Sequence, residues 1–133
     1  MRHAHRVQLR WSDPDSYGHV NHARALSLLE DARLALASEA PGMVPGRLPD
    51  IILARLEVDY LHQLYYRVGE ALTVHSWIAR IGTKSVTIRQ ELVQDGRPAI
   101  RVDGICVMFD VRTDTSRAIT DDERAFWSRY LEA

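Results

Sequence analysis

One long run in this chain, from about Asn21 to Glu39, carries the 3.6-residue repeat of an amphipathic helix, and four segments of strand character follow it before Arg112. Ala25, Leu28, Leu29, Ala32, Ala35 and Leu36 recur at helical spacing, while Arg24, Ser27, Asp31 and Ser38 fall on another face. The stretch "APGMVPGRLPD" must end the helix and form a loop, because proline cannot continue the helical hydrogen bonding. From Ile51 the period drops to two: Ile52, Ala54, Leu56, Val58 and Tyr60 face one way, and Arg55, Glu57 and Asp59 the other. Apolar, β-branched segments near Glu70 to Ile81, Ser85 to Gln94 and Pro98 to Arg112 complete the set, and the Asp95-Gly96 pair marks a tight hairpin between the last two.

Before the helix, His5 to Trp11 also alternates, with Val7, Leu9 and Trp11 expected on the buried face. After the last strand, Thr120 followed three residues later by Glu123 has capping-box spacing and predicts a short C-terminal helix. The expected fold is therefore α+β: a long central helix wrapped by a five-stranded antiparallel sheet, in one domain over residues 1–133. One helix covers only one face of such a sheet, so a symmetric homo-oligomer is the expected solution for the rest.

Charge narrows the function. With 17 Lys and Arg against 18 Asp and Glu the net charge is -1, and the basic residues form no stripe, so no nucleic-acid partner is expected. No run approaches the roughly 18 apolar residues of a membrane helix and the N-terminal stretch has no apolar leader pattern, so a cytoplasmic location is expected. Cys106, alone in "GICVMF", reads as a buried small hydrophobe and not as a nucleophile. His3 and His5 share a strand face, but without a paired helix motif, a cysteine partner or a third ligand no metal site is expected, and the stretch reads as a mobile tail.

The chemistry concentrates between the first strand and the helix. "DPDSYGHVNH", Asp13 to His22, brings two carboxylates, two histidines and an asparagine to a helix start. Taken locally, Asp13 and Asp15 are turn formers and Asn21 is an N-cap. The same arrangement also suits thioester hydrolysis, which needs a group that attacks the carbonyl or activates water, and donors aimed at the developing oxyanion. The free amides of a first helical turn are such donors. Asp15 serves either as nucleophile or as general base, and an imidazole at His22 can orient water or move a proton near neutral pH.

This motif, after one strand and before a long helix, resembles that of the hotdog-fold acyl-CoA thioesterases of the 4-hydroxybenzoyl-CoA thioesterase family. "VDYLHQLYYRVGEAL", "RIGTKSVTIRQEL" and "GRPAIRVDGICVMFDV" resemble its later strands, so the likeness runs from about Val7 to Val111. The resemblance implies a hotdog fold, a homodimer or homotetramer with active sites at the subunit interface, acyl-CoA as substrate and no cofactor. It implies that Asp15 is catalytic and that the His22 backbone amide polarises the thioester carbonyl, with an assisting role for the His22 side chain. Tyr17, Gly18, His19 and Asn21 inside the motif, and Tyr60, Lys84 and Ser85 outside it, are the candidate substrate contacts. Arg89, Tyr65 and Tyr66 are weaker candidates, whereas His62 and His75 read as surface or packing residues. Many relatives read "GHVNNAxY", where this chain has His22 for the second Asn and Ala25 for the aromatic. A hotdog hydratase or dehydratase fits the motif less well. A non-catalytic acyl-thioester-binding module fits less well too, since burying a carboxylate such as Asp15 beside a ligand costs free energy that pure binding does not require.

Overall fold

A computed structural model describes residues 1–132. The elements are β1 (His3–Gln8), α1 (His22–Ala37), β2 (Ile51–Tyr60), β3 (Ala71–Ile81), β4 (Ser85–Gln94), β5 (Arg97–Asp110), β6 (Thr115–Ser116) and α2 (Asp121–Ser128). Five long strands form one antiparallel sheet in the order β1-β3-β4-β5-β2, and the two-residue β6 adds to β5. None of the described helices is long and apolar enough to cross a membrane.

Local chemistry explains the boundaries. Asn21 caps α1 by accepting the Ala23 N–H at 2.8 Å. In α2, Thr120 and Glu123 form the reciprocal capping box expected from their spacing. The β4–β5 hairpin turns through Asp95 and Gly96, both at positive φ (57° and 73°), with Gln94 opposite Arg97. Two left-handed residues match the twist of the flanking strands, which is why Asp-Gly sits there.

α1 packs across β1, β3 and β4 and divides the core in two. Ala25, Leu29 and Ala32 meet Val74, Leu92, Ile100 and Val102 toward the start of the helix. Leu36 and Ala37 meet Ile78, Ile88, Cys106 and Trp127 toward its end. Between the two lies a buried polar group: Arg33 Nη1 donates to Gln90 Oε1 at 3.0 Å, and Gln90 Nε2 donates to the Leu29 carbonyl at 2.9 Å and Ser76 Oγ at 3.0 Å. Burial lowers the Arg33 pKa, because desolvation disfavours its charge.

Three expectations need correction. The N-terminal stretch is not a tail: β1 begins at His3, pairs along β3, and sets His3 Nε2 3.3 Å from Glu39 and His5 Nε2 3.1 Å from Asp31 on α1. Trp11 is not in the core but 81% exposed, because β1 ends at Gln8 and the chain turns with the Asp13 N–H bonding the Arg10 carbonyl. In β2 a bulge at Ala54 interrupts the alternation, so Ile52 pairs with Val107 and Leu53 with Cys106, but Arg55 pairs with Ile105. The extra residue exchanges the faces, leaving Leu53 with Leu56 against Gly104 on the helix side and Ile52 on the other.

Candidate active site

The segment between β1 and α1 is a tight turn held by its own side chains. The Gly18 N–H donates to the Asp15 carbonyl at 3.1 Å, and the Asp15 N–H donates to the His19 carbonyl at 2.8 Å. Asp15 Oδ1 accepts the amides of Tyr17 at 2.8 Å and His19 at 3.1 Å. One carboxylate oxygen is thereby anchored, and Oδ2 takes no protein hydrogen bond among the described residues. Gly18 closes the turn at φ +79°, in space where an added Cβ would meet nothing, so backbone conformation alone demands glycine.

A short ladder fixes this turn to the rest of the fold. Pro14 bridges Val20, His19 bridges Tyr65, the Val20 N–H donates to the Leu64 carbonyl, and the Tyr66 N–H donates to the Gly18 carbonyl. Asp13, 4% exposed, braces it from below. It accepts the Arg10 N–H at 2.7 Å through Oδ2, while Oδ1 lies 3.5 Å from Arg10 Nη2 and 4.0 Å from Arg24 Nε without a hydrogen bond.

The turn forms one wall of a cleft of about 560 Å³ lined by Asp15, His19, Val20, Asn21, His22 and the segment from Tyr60 to Leu64, with Ile100 behind. α1 starts in this wall. Its first turn carries no acidic residue to offset the positive end of the helix dipole, and the His22 N–H has no acceptor among the described residues. Opposite stands Tyr60, whose hydroxyl is 3.4 Å from His22 Nδ1, with the rings edge to face at 6.2 Å. A phenol donating to Nδ1 leaves the proton of a neutral His22 on Nε2. The cleft thus combines a carboxylate with one free oxygen, an unbonded helix N-terminal amide and an imidazole: a base or nucleophile beside an oriented donor.

Of the candidate residues named from the sequence, Asp15, His19, Asn21, His22 and Tyr60 line one cleft. Tyr17 stands beside them, 81% exposed, with its ring 6.3 Å from that of His19. Asn21 is accounted for by its cap. Lys84 and Ser85 are elsewhere: Ser85 opposes Val107, whereas Ile100 at the cleft opposes Leu92, a separation of about 23 Å along the strands. Lys84 Nζ lies 3.5 Å from Ser116 Oγ instead. Arg89 is committed to Asp103, with Nε 2.7 Å from Oδ1. Tyr65 packs edge-on to His19 at 5.1 Å, and Tyr66 packs against the core.

Sequence reasoning missed His62. It lies two residues beyond Tyr60, so the same alternation that turned Tyr60 toward the cleft could have brought His62 along. Asp15 is exposed in the single chain, so the desolvation cost held against a binding module does not arise here. Cys106 is buried and its thiol is pushed up to about 11 by desolvation, against the opposing pull of Arg33. That leaves it protonated and unreactive near neutral pH. No group of three His, Cys, Asp or Glu among the described residues is placed to hold a metal ion.

A family model described as the thioesterase-like superfamily matches residues 9–125. A predicted thioesterase from Bacillus stearothermophilus superposes with a TM-score of 0.87 at 28% identity, over 99% of this chain and 98% of that one. A thioesterase from Thermus thermophilus, complexed with coenzyme A and Zn, superposes at 0.80 with 25% identity, over 96% and 92%. The uncharacterized protein YsmA of Bacillus subtilis is 25% identical over 124 residues, which are 90% of this chain and 80% of that protein. The chain belongs to the thioesterase-like superfamily and has its hotdog fold.

Proposed function

We propose that this protein is an acyl-CoA thioesterase, hydrolysing the thioester to a free acid and CoA. The observation that carries the reading is Asp15 at the cleft wall, one oxygen held by two amides and the other free, beside the N-terminus of α1. The resemblance to a thioesterase complexed with coenzyme A supports CoA as the carrier.

The thioester carbonyl oxygen sits at the His22 N–H, where the helix dipole stabilises the charge that develops on it. Asp15 Oδ2 then acts in one of two ways. It adds to the carbonyl carbon, expelling the CoA thiolate and leaving an acyl anhydride that water cleaves, or it takes a proton from the water that attacks directly. Both routes consume one water, and the proton ends on the CoA sulfur. The His22 imidazole, oriented by Tyr60, positions that water, and His19 and Tyr17 form the rim. In this reading the protein works in the cytoplasm as a homodimer or homotetramer with its sites at the subunit boundary.

The test is CoA release from short, medium, long and aromatic acyl-CoAs, followed with a thiol-reactive dye. Turnover of at least one class is expected. Binding of acyl-CoA by calorimetry without release of thiol from any class would replace this reading with a non-catalytic binding module.

A further inference from the structure

Tyr60 and His22 meet across the cleft through the polar ends of their side chains, and no other described residue hydrogen-bonds to either end. Their backbones are fixed independently. Tyr60 is the last residue of β2 and pairs with Ile100 of β5, and the next two amides, of Leu61 and His62, both donate to the Ala99 carbonyl, at 2.8 and 3.1 Å. His22 is the first residue of α1, behind the Asn21 cap, and the Val20 N–H ties the approach to the helix to the Leu64 carbonyl at 2.8 Å. Two held backbones thus present two otherwise untethered side chains to each other, and the contact between hydroxyl and ring decides how the ring stands.

The hydroxyl lies 3.4 Å from Nδ1, and the pair can be ordered in two ways. With the proton on Nδ1 the ring donates to the phenol oxygen, and the phenol proton is left without an acceptor among the described residues. With the phenol donating to Nδ1 both groups are used, and a neutral ring keeps its proton on Nε2. The second order also suits the cleft. Asp15 is the only carboxylate among its described lining residues and has one free oxygen, so an unprotonated Nε2 competes with it for the same proton, whereas an Nε2–H does not. A bond of 3.4 Å in an open cleft is long, and it tightens and strengthens once a substrate excludes water.

We infer that Tyr60 is a positioning residue that holds His22 in its Nε2–H form, so that the imidazole takes part only as a hydrogen-bond donor and leaves attack or proton abstraction to Asp15. Where water attacks the thioester directly, Nε2–H donates to the water oxygen while the water proton goes to Asp15 Oδ2 and on to the CoA sulfur. Where Asp15 attacks first, the same donor holds the water that cleaves the anhydride. In neither route does a proton pass through the ring. For its chemistry this inference rests on the thioesterase reading; for the tautomer it rests on the Tyr60–His22 contact alone.

The experiment reads that tautomer by NMR of protein labelled at the histidine ring nitrogens, at a pH where the ring is neutral, with His22→Gln assigning the signal. Wild-type His22 should show one form, protonated on Nε2, and Tyr60→Phe, which keeps the aromatic ring, should show a mixture of the two forms. Kinetics then separate an effect through His22 from a direct one. Tyr60→Phe should lower kcat by about tenfold with KM unchanged. In a His22→Gln background, where the amide nitrogen reaches the place of Nε2 and has no second tautomer, the same change should lower kcat by less than about twofold. A wild-type ring protonated on Nδ1, a tautomer that Tyr60→Phe leaves unchanged, or an equal loss of kcat in both backgrounds overturns the inference. If no acyl-CoA is turned over, the thioesterase reading falls, and the NMR result by itself upholds or overturns the role of Tyr60.

Discussion

Asp13 and Asp15 are two residues apart and chemically identical, yet the fold gives them different work. Asp13 is buried and holds the chain turn through the Arg10 amide, so Asp13→Ala should lower stability by about 2 kcal/mol in urea denaturation. Asp15→Asn, at an exposed carboxylate, should lower it by less than about 1 kcal/mol in the same experiment. A loss at Asp15 equal to that at Asp13 would mean that Asp15 is a structural brace as well. The buried Arg33–Gln90 pair supplies a second test. Gln90→Leu removes the hydrogen-bonding partner of a buried cation together with the bonds to Leu29 and Ser76, and should cost about 3 kcal/mol. Most of that loss should be recovered when Arg33→Met is added, because the uncompensated charge is then gone. Cys106, buried and with its thiol pushed up to about 11, should react with a thiol reagent only after unfolding. Labelling of the folded protein would contradict that burial.

At the scale of elements, α2 carries the clearest electrostatic signature. Glu123 accepts from Arg117 at 2.7 and 2.8 Å and from the Thr120 N–H at 2.9 Å. Its pKa is lowered, chiefly by the Arg117 hydrogen bonds, so the folded state favours the charged carboxylate. The resulting stability is fully present above the ordinary value of 4.5 and is lost as pH falls through the lower folded value. Glu123→Gln should therefore lower stability by about 2 kcal/mol at pH 7, and the gap from wild type should close in acid. A gap that stayed constant with pH would assign the loss to packing.

The same scale explains how much of the fold was legible. α1, its Asn21 cap, the Asp95-Gly96 hairpin and the Thr120 capping box are local patterns, and each is written within a few residues. The faces of β2 were not legible, because the bulge at Ala54 depends on pairing with β5. Nor was Trp11, whose alternation with Leu9 continues past the point where the chain leaves the sheet.

For the whole molecule, sheet order decides which candidate residues meet. The order β1-β3-β4-β5-β2 sets the end of β2 and the start of β5 at the mouth of α1, so Tyr60, His62 and Ile100 line one cleft with Asp15 and His22. It also carries Lys84 and Ser85 to the far end of the same chain, a consequence of topology that no reading of a single segment contains. Residues contiguous with the helix start were legible in the sequence; of those that strand pairing brings there, Tyr60 was a candidate beforehand, whereas His62 and Ile100 were not. The most direct test of the proposed chemistry is to compare wild type with Asp15→Asn on one acyl-CoA that the wild type hydrolyses, measuring kcat by CoA release and Kd by calorimetry. The predicted result is a fall in kcat of at least about 100-fold with Kd unchanged, because Asp15 acts on the reacting carbon or its water and not on the CoA handle. Equal kcat in the two proteins would contradict a catalytic Asp15.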